Sequence, residues 1–268
     1  MTQRIAILGA GVMGETLMSA VLAAGHPVEG LVISEKRADR AAELRSSYGV
    51  EVTDNAAAVT DADIVLLVVK PQDVPALLDE IAPSVRPTAT VVSLAAGIRI
   101  DAIAAALPDG VAVVRAMPNT PALVGEGMFG VSPGPDVTDE QLAAIVSLLE
   151  SGGRVVVVDE SRQDAVTAVS GSGPAYVFYL AEAMIAGGVA EGLDVDTARV
   201  LAAQTLVGAA KLLSESDETA EQLRRRVTSP NGTTHAAITT FDERGVRDGL
   251  VAGVAAAAAR SAELSGPA

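Results

Sequence analysis

Short stretches that are apolar on both faces recur through the first half of the chain, each followed by an amphipathic run. They fall at Arg4–Leu8, Gly30–Ser34, Ile64–Val69, Thr90–Leu94 and Ala112–Ala116. The intervening runs predict helices over Gly14–Ala24, Ala38–Tyr48, Val74–Ile81 and Asp101–Leu107. A strand without a polar face must be covered on both sides, and strand–helix alternation joins neighbouring strands in parallel. The chain is therefore expected to open with a parallel α/β layer. Gly127–Val131, Asp139–Leu149 and Arg154–Val158 extend it.

From Asp159 the pattern changes. No further strand is convincing, and helices are expected at Asp159–Ala190, Asp196–Ser214, Thr219–Val227, Thr234–Arg244 and Val246–Leu264. This divides the chain into an α/β domain over 1–158 and an all-α domain over 159–268. The helical half is rich in small residues, as in "AMIAGGVAEG" and the alanine run Ala255–Ala259. Such faces bury little area per residue, so one copy would have a thin core. Close packing against a second copy is the remedy, and a homo-oligomer with a helical contact is expected.

Composition narrows the chemistry. The chain has no Cys and only two His, His26 and His235, far apart in sequence. Disulfides, thiolate nucleophiles and cysteine zinc sites are absent, and neither a His-rich metal site nor a Ser-His-Asp triad is expected. A cofactor is the natural substitute for missing side-chain chemistry. The net charge of −15 opposes nucleic acid and anionic membranes. No run approaches the roughly 18 apolar residues of a membrane span. The N-terminus reads as a strand and not as a secretory signal, so a soluble, cytoplasmic protein is expected.

"AILGAGVMGE" carries Gly9-x-Gly11-x-x-Gly14 between the first strand and the first helix. Alone the pattern is weak, because any tight turn can require glycines. In a first βαβ unit it reads as the fingerprint of a Rossmann-type dinucleotide-binding sheet. Gly9 would allow the turn, Gly11 the approach of a pyrophosphate, and Gly14 close helix–strand contact. The second strand ends at Ser34, followed by Glu35, Lys36 and Arg37. A hydroxyl and two cations suit the 2′-phosphate of NADP. Glu35 would favour NAD if it pointed inward, and the run could also be an ordinary solvated face. Lys70, at the end of "DIVLLVVKP", could reach ribose or phosphate, or simply snorkel. Ala95, Ala96 and Gly97 leave room for a flat ring. "RAMPNTPA", with Asn119 and Thr120, is a rim for the nicotinamide end or a rigid turn.

Two motifs lie in the helical half. "VSGSGPAY" over Val169–Tyr176 places Pro174 within the first long helix, as a packing kink or as a flat surface facing the cofactor. In "TSPNGTTHAAI", Ser229-Pro230 halts the chain and Asn231-Gly232 permits positive backbone angles. Thr233 or Thr234 is expected to cap the next helix. A helix start with free N–H groups and hydroxyls is a carboxylate site. A plain helix–turn–helix corner is the alternative.

Together "ILGAGVMGE", "VKPQ", "SLAAGI", "MPNTPA", "SGSGPAY" and "SPNGTT" resemble the pyrroline-5-carboxylate reductases, in order and spacing and over nearly the whole chain. The resemblance implies a Rossmann domain followed by a helical dimerisation domain, with NADPH, and often NADH, as hydride donor. It implies dimers that assemble further, often into decameric rings. Cofactor contacts would fall on Leu8, Gly9, Ala10, Gly11, Val12, Met13, Ser34, Asn55, Lys70, Pro71 and Ala96. The substrate carboxylate would lie on the loop Ser229, Asn231, Gly232, Thr233 and Thr234, with the hydroxyl of Thr234 on the ring nitrogen. This chain departs from the family in having Asn231 where Gly is usual and His235 where an aliphatic residue is usual. Asn tolerates left-handed angles, so the turn should survive.

The implied reaction is reduction of the cyclic imine 1-pyrroline-5-carboxylate to L-proline, the final step of proline biosynthesis. If the late helices are exchanged across the dimer, each site would contain two chains. A 3-hydroxyacid dehydrogenase of the 6-phosphogluconate type has the same two-domain plan but needs a Lys within Asp159–Ala190. The lysines here are Lys36, Lys70 and Lys211. A nucleotide-sensing module without turnover is the other alternative, and the retention of Thr234 speaks against it.

Overall fold

The computed structural model describes residues 3–266. The elements of the α/β layer run in the order β1 (Ile5–Leu8), α1 (Val12–Ala23), β2 (Leu31–Ser34), α2 (Ala38–Tyr48), β3 (Glu51–Thr53), α3 (Asn55–Val59), β4 (Ile64–Leu67), α4 (Val74–Ile81), β5 (Thr90–Ser93), α5 (Ile100–Ala104), β6 (Ala112–Met117), β7 (Gly127–Pro133), α6 (Asp139–Glu150) and β8 (Gly153–Val157). After Val157 every regular element among the described residues is helical: α7 (Gln163–Val166), α8 (Gly173–Ala190), α9 (Val195–Glu215), α10 (Ala220–Arg226), α11 (Thr233–Glu243) and α12 (Val246–Ser265).

The strands form one eight-stranded sheet in the order β3-β2-β1-β4-β5-β6-β7-β8. All neighbours are parallel except β6 and β7. Alternate residues of one strand feed opposite cores. Ile5 and Ile7 of β1 pack with Leu17, Met18 and Ile33 on one face. Ala6 and Leu8 pack with Val65, Leu67 and Leu78 on the other. This is the doubly covered sheet that strands without a polar face require. Its strand order reverses between β1 and β4, and open α/β sheets place their ligand crevice at such a reversal.

Two compact units result, 3–171 with 257–266, and 172–256. The second unit has almost no core of its own: Ala198 and Ala202 are its buried apolar residues. The apolar helix α8 has no buried residue, and Phe178 and Tyr179 on it are 63% and 72% exposed. None of the described helices is long and apolar enough to cross a membrane.

The long helix expected over Asp159–Ala190 is broken. It consists of a 3-10 turn at Glu160–Arg162, α7, a π-helical turn at Thr167–Gly171, and α8. Pro174 stands in the first turn of α8, where its missing N–H leaves no helical bond unmade. The "SGSGPAY" segment is thus a helix start and not a mid-helix kink.

Candidate active site

At the first motif β1 ends in Leu8 and the chain turns through Gly9, with φ +101°. A Cβ there would lie 2.9 Å from the Val68 carbonyl oxygen, so the turn requires glycine on two counts. A Cβ on Gly14 would lie 2.1 Å from the Gly9 carbonyl oxygen, so α1 seats directly on the turn. Gly11, between them, faces open space. It is the N-cap of α1 and offers no side-chain cap. The first helical bond runs from the Glu15 amide to the Gly11 carbonyl at 3.0 Å. The amides of Val12 and Met13 therefore precede any helical bond and stand at the positive end of the helix dipole. Ala10 is buried in support. The turn, the bare backbone at Gly11 and the uncapped amides fit a pyrophosphate.

Beside it a cavity of about 270 Å³ is lined by Gly9, Ser34, Glu35, Lys36, Asn55, Val69, Asp73 and Leu77. It lies at the C-terminal ends of β1, β2 and β4, where the adenosine half of a dinucleotide belongs. Ser34 and Asn55 are 3% and 5% exposed. The Ser34 hydroxyl donates to Asn55 Oδ1 at 2.5 Å, and Asn55 Nδ2 donates to Glu80 Oε2 at 2.8 Å. No spacing in the sequence ties Glu80 to Asn55. Arg37 does not line this cavity. Its guanidinium is paired with Asp39 at 2.9 Å, and its backbone N–H donates to Glu35 Oε1 at 2.8 Å. The hydrogen bond from Arg37 holds the Asp39 carboxyl below the ordinary carboxylate range. Lys36 is exposed, with no hydrogen bond or ion pair among the described residues.

Lys70 and Pro71 follow β4 on the exposed rim, and Lys70 caps the short 3-10 turn Pro71–Asp73. Ala96 is exposed between buried Ala95 and Gly97. Both ends of the Asn119 amide are engaged within the unit. It donates to the Ser170 carbonyl at 3.1 Å and accepts from the Met128 amide at 2.9 Å. Asn119 therefore ties the π-helical turn to the β6–β7 connection, and "RAMPNTPA" is at this residue a rigid turn.

The second motif belongs to the other unit. Ser229, Pro230, Asn231 and Gly232 form a turn closed by the Gly232 amide on the Ser229 carbonyl at 3.1 Å. Asn231, with φ +57°, is the only non-glycine at positive φ among the described residues. Its position is the third of the turn, where a type II turn requires such an angle. A Cβ on Gly232 would lie 2.5 Å from Ser229 Oγ. The expected cap is corrected here: the N-cap of α11 is Gly232, with no side-chain cap, and Thr233 and Thr234 lie inside the first turn. The first helical bond is Ala236 to Gly232 at 3.1 Å, so the amides of Thr233, Thr234 and His235 are open. The hydroxyl of half-buried Thr234 makes no hydrogen bond among the described residues. The preceding helix, α10, is by contrast closed by a Thr219–Gln222 capping box. The uncapped start of α11, flanked by Ser and Thr hydroxyls, fits a carboxylate.

A glycine turn at the reversal of a parallel sheet, followed by a helical domain, defines a dinucleotide-binding oxidoreductase. Two family models match: NADP oxidoreductase, coenzyme F420-dependent, over residues 4–97, and pyrroline-5-carboxylate reductase dimerisation over residues 160–264. The pyrroline-5-carboxylate reductase of Mycobacterium tuberculosis is 43% identical over 284 residues, covering 97% of this chain and 96% of that protein. The Coxiella burnetii enzyme structure superposes with a TM-score of 0.94 at 32% identity, over 100% of both chains. The Plasmodium falciparum enzyme, solved with NADP bound, gives 0.86 at 26% identity, over 98% of both chains. The chain belongs to the pyrroline-5-carboxylate reductase family.

Proposed function

We propose that this chain reduces 1-pyrroline-5-carboxylate to L-proline, with NADPH as the hydride donor and NADH also accepted. The observation that carries the reading is a pair of uncapped helix starts, at Gly11 and at Gly232, each beside the motif expected to hold an anion. The dinucleotide, when bound, supplies a hydride to the imine carbon. Leu8, Gly9, Ala10, Gly11, Val12 and Met13 hold its pyrophosphate; Ser34, Lys36, Asn55, Lys70, Pro71 and Ala96 line the rest, and Arg37, paired with Asp39, stands outside the cavity. Ser229, Asn231, Gly232, Thr233 and Thr234 hold the substrate carboxylate, and the Thr234 hydroxyl orients the ring nitrogen. The imine nitrogen takes its proton from water near neutral pH, so the chain's task is orientation more than acid catalysis.

The family's dimerisation domain and the bare apolar helices support a homodimer through the region from 159 onward, with 1–158 as the dinucleotide-binding domain. We further infer that dimers close into a decameric ring in the cytoplasm and that each active site takes residues from two chains. Purified protein should oxidise NADPH in the presence of 1-pyrroline-5-carboxylate and should not reduce NADP+ in the presence of 3-hydroxyisobutyrate. The reverse result ends the imine reading and favours the hydroxyacid dehydrogenase.

A further inference from the structure

A 2′-phosphate differs from a 2′-hydroxyl in two respects that matter to a protein: it carries negative charge, and as a dianion it only accepts hydrogen bonds, whereas the hydroxyl also donates. The cavity at the end of β2 offers fewer donors than its sequence suggests. The Ser34 proton is committed to Asn55 Oδ1 at 2.5 Å, which leaves Ser34 Oγ an acceptor toward the cavity. Asn55 is held in that orientation by the Glu80 carboxylate on its Nδ2 at 2.8 Å. The Arg37 amide, at the uncapped start of α2, already carries the Glu35 carboxylate at 2.8 Å. The Arg37 guanidinium is held by Asp39 at 2.9 and 3.3 Å. Lys36 is the one cation lining the cavity, against Glu35 and Asp73.

We infer that Glu35 and Asp39 are specificity-determining residues that restrain NADPH binding: Glu35 sets the chain's own carboxylate where the 2′-phosphate would draw on the α2 start, and Asp39 withholds the Arg37 guanidinium. This rests on the dinucleotide reading above and deepens it. Lys36 gives NADPH its advantage; the two acids keep that advantage small, so NADH competes. The Ser34 oxygen, as an acceptor, suits the hydroxyl of NADH. The Arg37–Asp39 pair is exposed, so its hold is weak, and most of the restraint falls on Glu35.

The test is equilibrium titration of both nucleotides by nicotinamide fluorescence, without substrate, on wild type, E35Q and D39N. NADPH and NADH share every contact except the 2′ group, so damage to the fold moves both together. E35Q should tighten NADPH about tenfold by removing an anion beside the phosphate. D39N should tighten it about threefold, as befits an exposed pair. NADH should move less than about twofold in either variant, since it brings no second anion. Equal shifts for both nucleotides, no shift, or weaker NADPH in E35Q would overturn the assignment. A wild type that binds neither nucleotide would overturn the dinucleotide reading as well. Failure to reduce the imine, read in a separate assay, bears on the substrate alone.

Discussion

At the scale of single residues, the difference between the motifs is one of rigidity against chemistry. Gly9 and Gly14 are required by space: a Cβ at each would come within 2.9 Å of a backbone carbonyl oxygen. Thr234 is constrained by nothing comparable. Its hydroxyl stands half-buried on the first turn of α11, with no partner among the described residues. On the proposed reading, the ring nitrogen of the substrate is its partner. Thr234→Ala should therefore lower kcat about a hundredfold, the scale of losing one oriented donor or acceptor at a reacting centre. The NADPH dissociation constant should stay within about twofold, because a missing hydroxyl leaves no buried charge behind. Thr234→Ser should restore most of the rate. Steady-state kinetics with nucleotide titration checks all three; equal loss of turnover and nucleotide affinity in Thr234→Ala would make the residue structural.

At the scale of elements, the legible features were those with a repeating pattern or a covalent constraint. The sheet was readable because five strands bury both faces, which leaves few alternatives to a parallel layer. The glycine turn was readable because φ at Gly9 admits little else. β3 and α3 were not, at 3 and 5 residues, too short for a period to register. The break at Thr167–Gly171 has no signature in the sequence beyond the glycines and Pro174, since the five residues TAVSG are too few and too mixed for a change of period to register. At 232–234 composition could not say which of Gly, Thr and Thr would take the cap. Nor could it show that Glu35 and Asp39 engage Arg37, since a run of mixed charge is compatible with either solvation or pairing.

Caps also carry a pH dependence at this scale. Asp194 closes α9, accepting from the Thr197 hydroxyl at 2.6 Å and amide at 2.9 Å. These bonds, the hydroxyl's first, lower the Asp194 pKa below its ordinary value. A carboxyl whose folded pKa is depressed contributes stability above its unfolded pKa, near 3.9, and loses it as pH falls through the folded value. Asp194→Ala should thus lower the thermal midpoint at neutral pH, and the gap from wild type should shrink as the pH falls below the unfolded value and close once it has passed the depressed folded value. Circular dichroism melts across that range measure it. A gap independent of pH would assign the effect to the hydrophilic surface of Asp194 and not to its charge.

At the scale of the molecule, the two units differ in what they can do alone. The α/β unit has two apolar cores, one on each face of its sheet, and the cavity beside its glycine turn is lined by its own residues. The helical unit leaves Phe178, Val200, Val207 and Leu212 between 60% and 65% exposed. Large apolar side chains exposed in such number mark an interface, and the family's dimerisation domain spans the same helices. A charge placed there is harmless to a single copy, where the position is already wet, but would lie unpaired within an oligomer contact. The double variant Phe178→Glu, Val200→Glu should therefore sediment as one copy while its NADPH titration stays close to that of wild type. Turnover should be lost if the carboxylate loop and the cofactor come together across chains. A single-copy variant with full turnover would place the whole site within one chain, and a variant that remains assembled would put the contact on other helical faces.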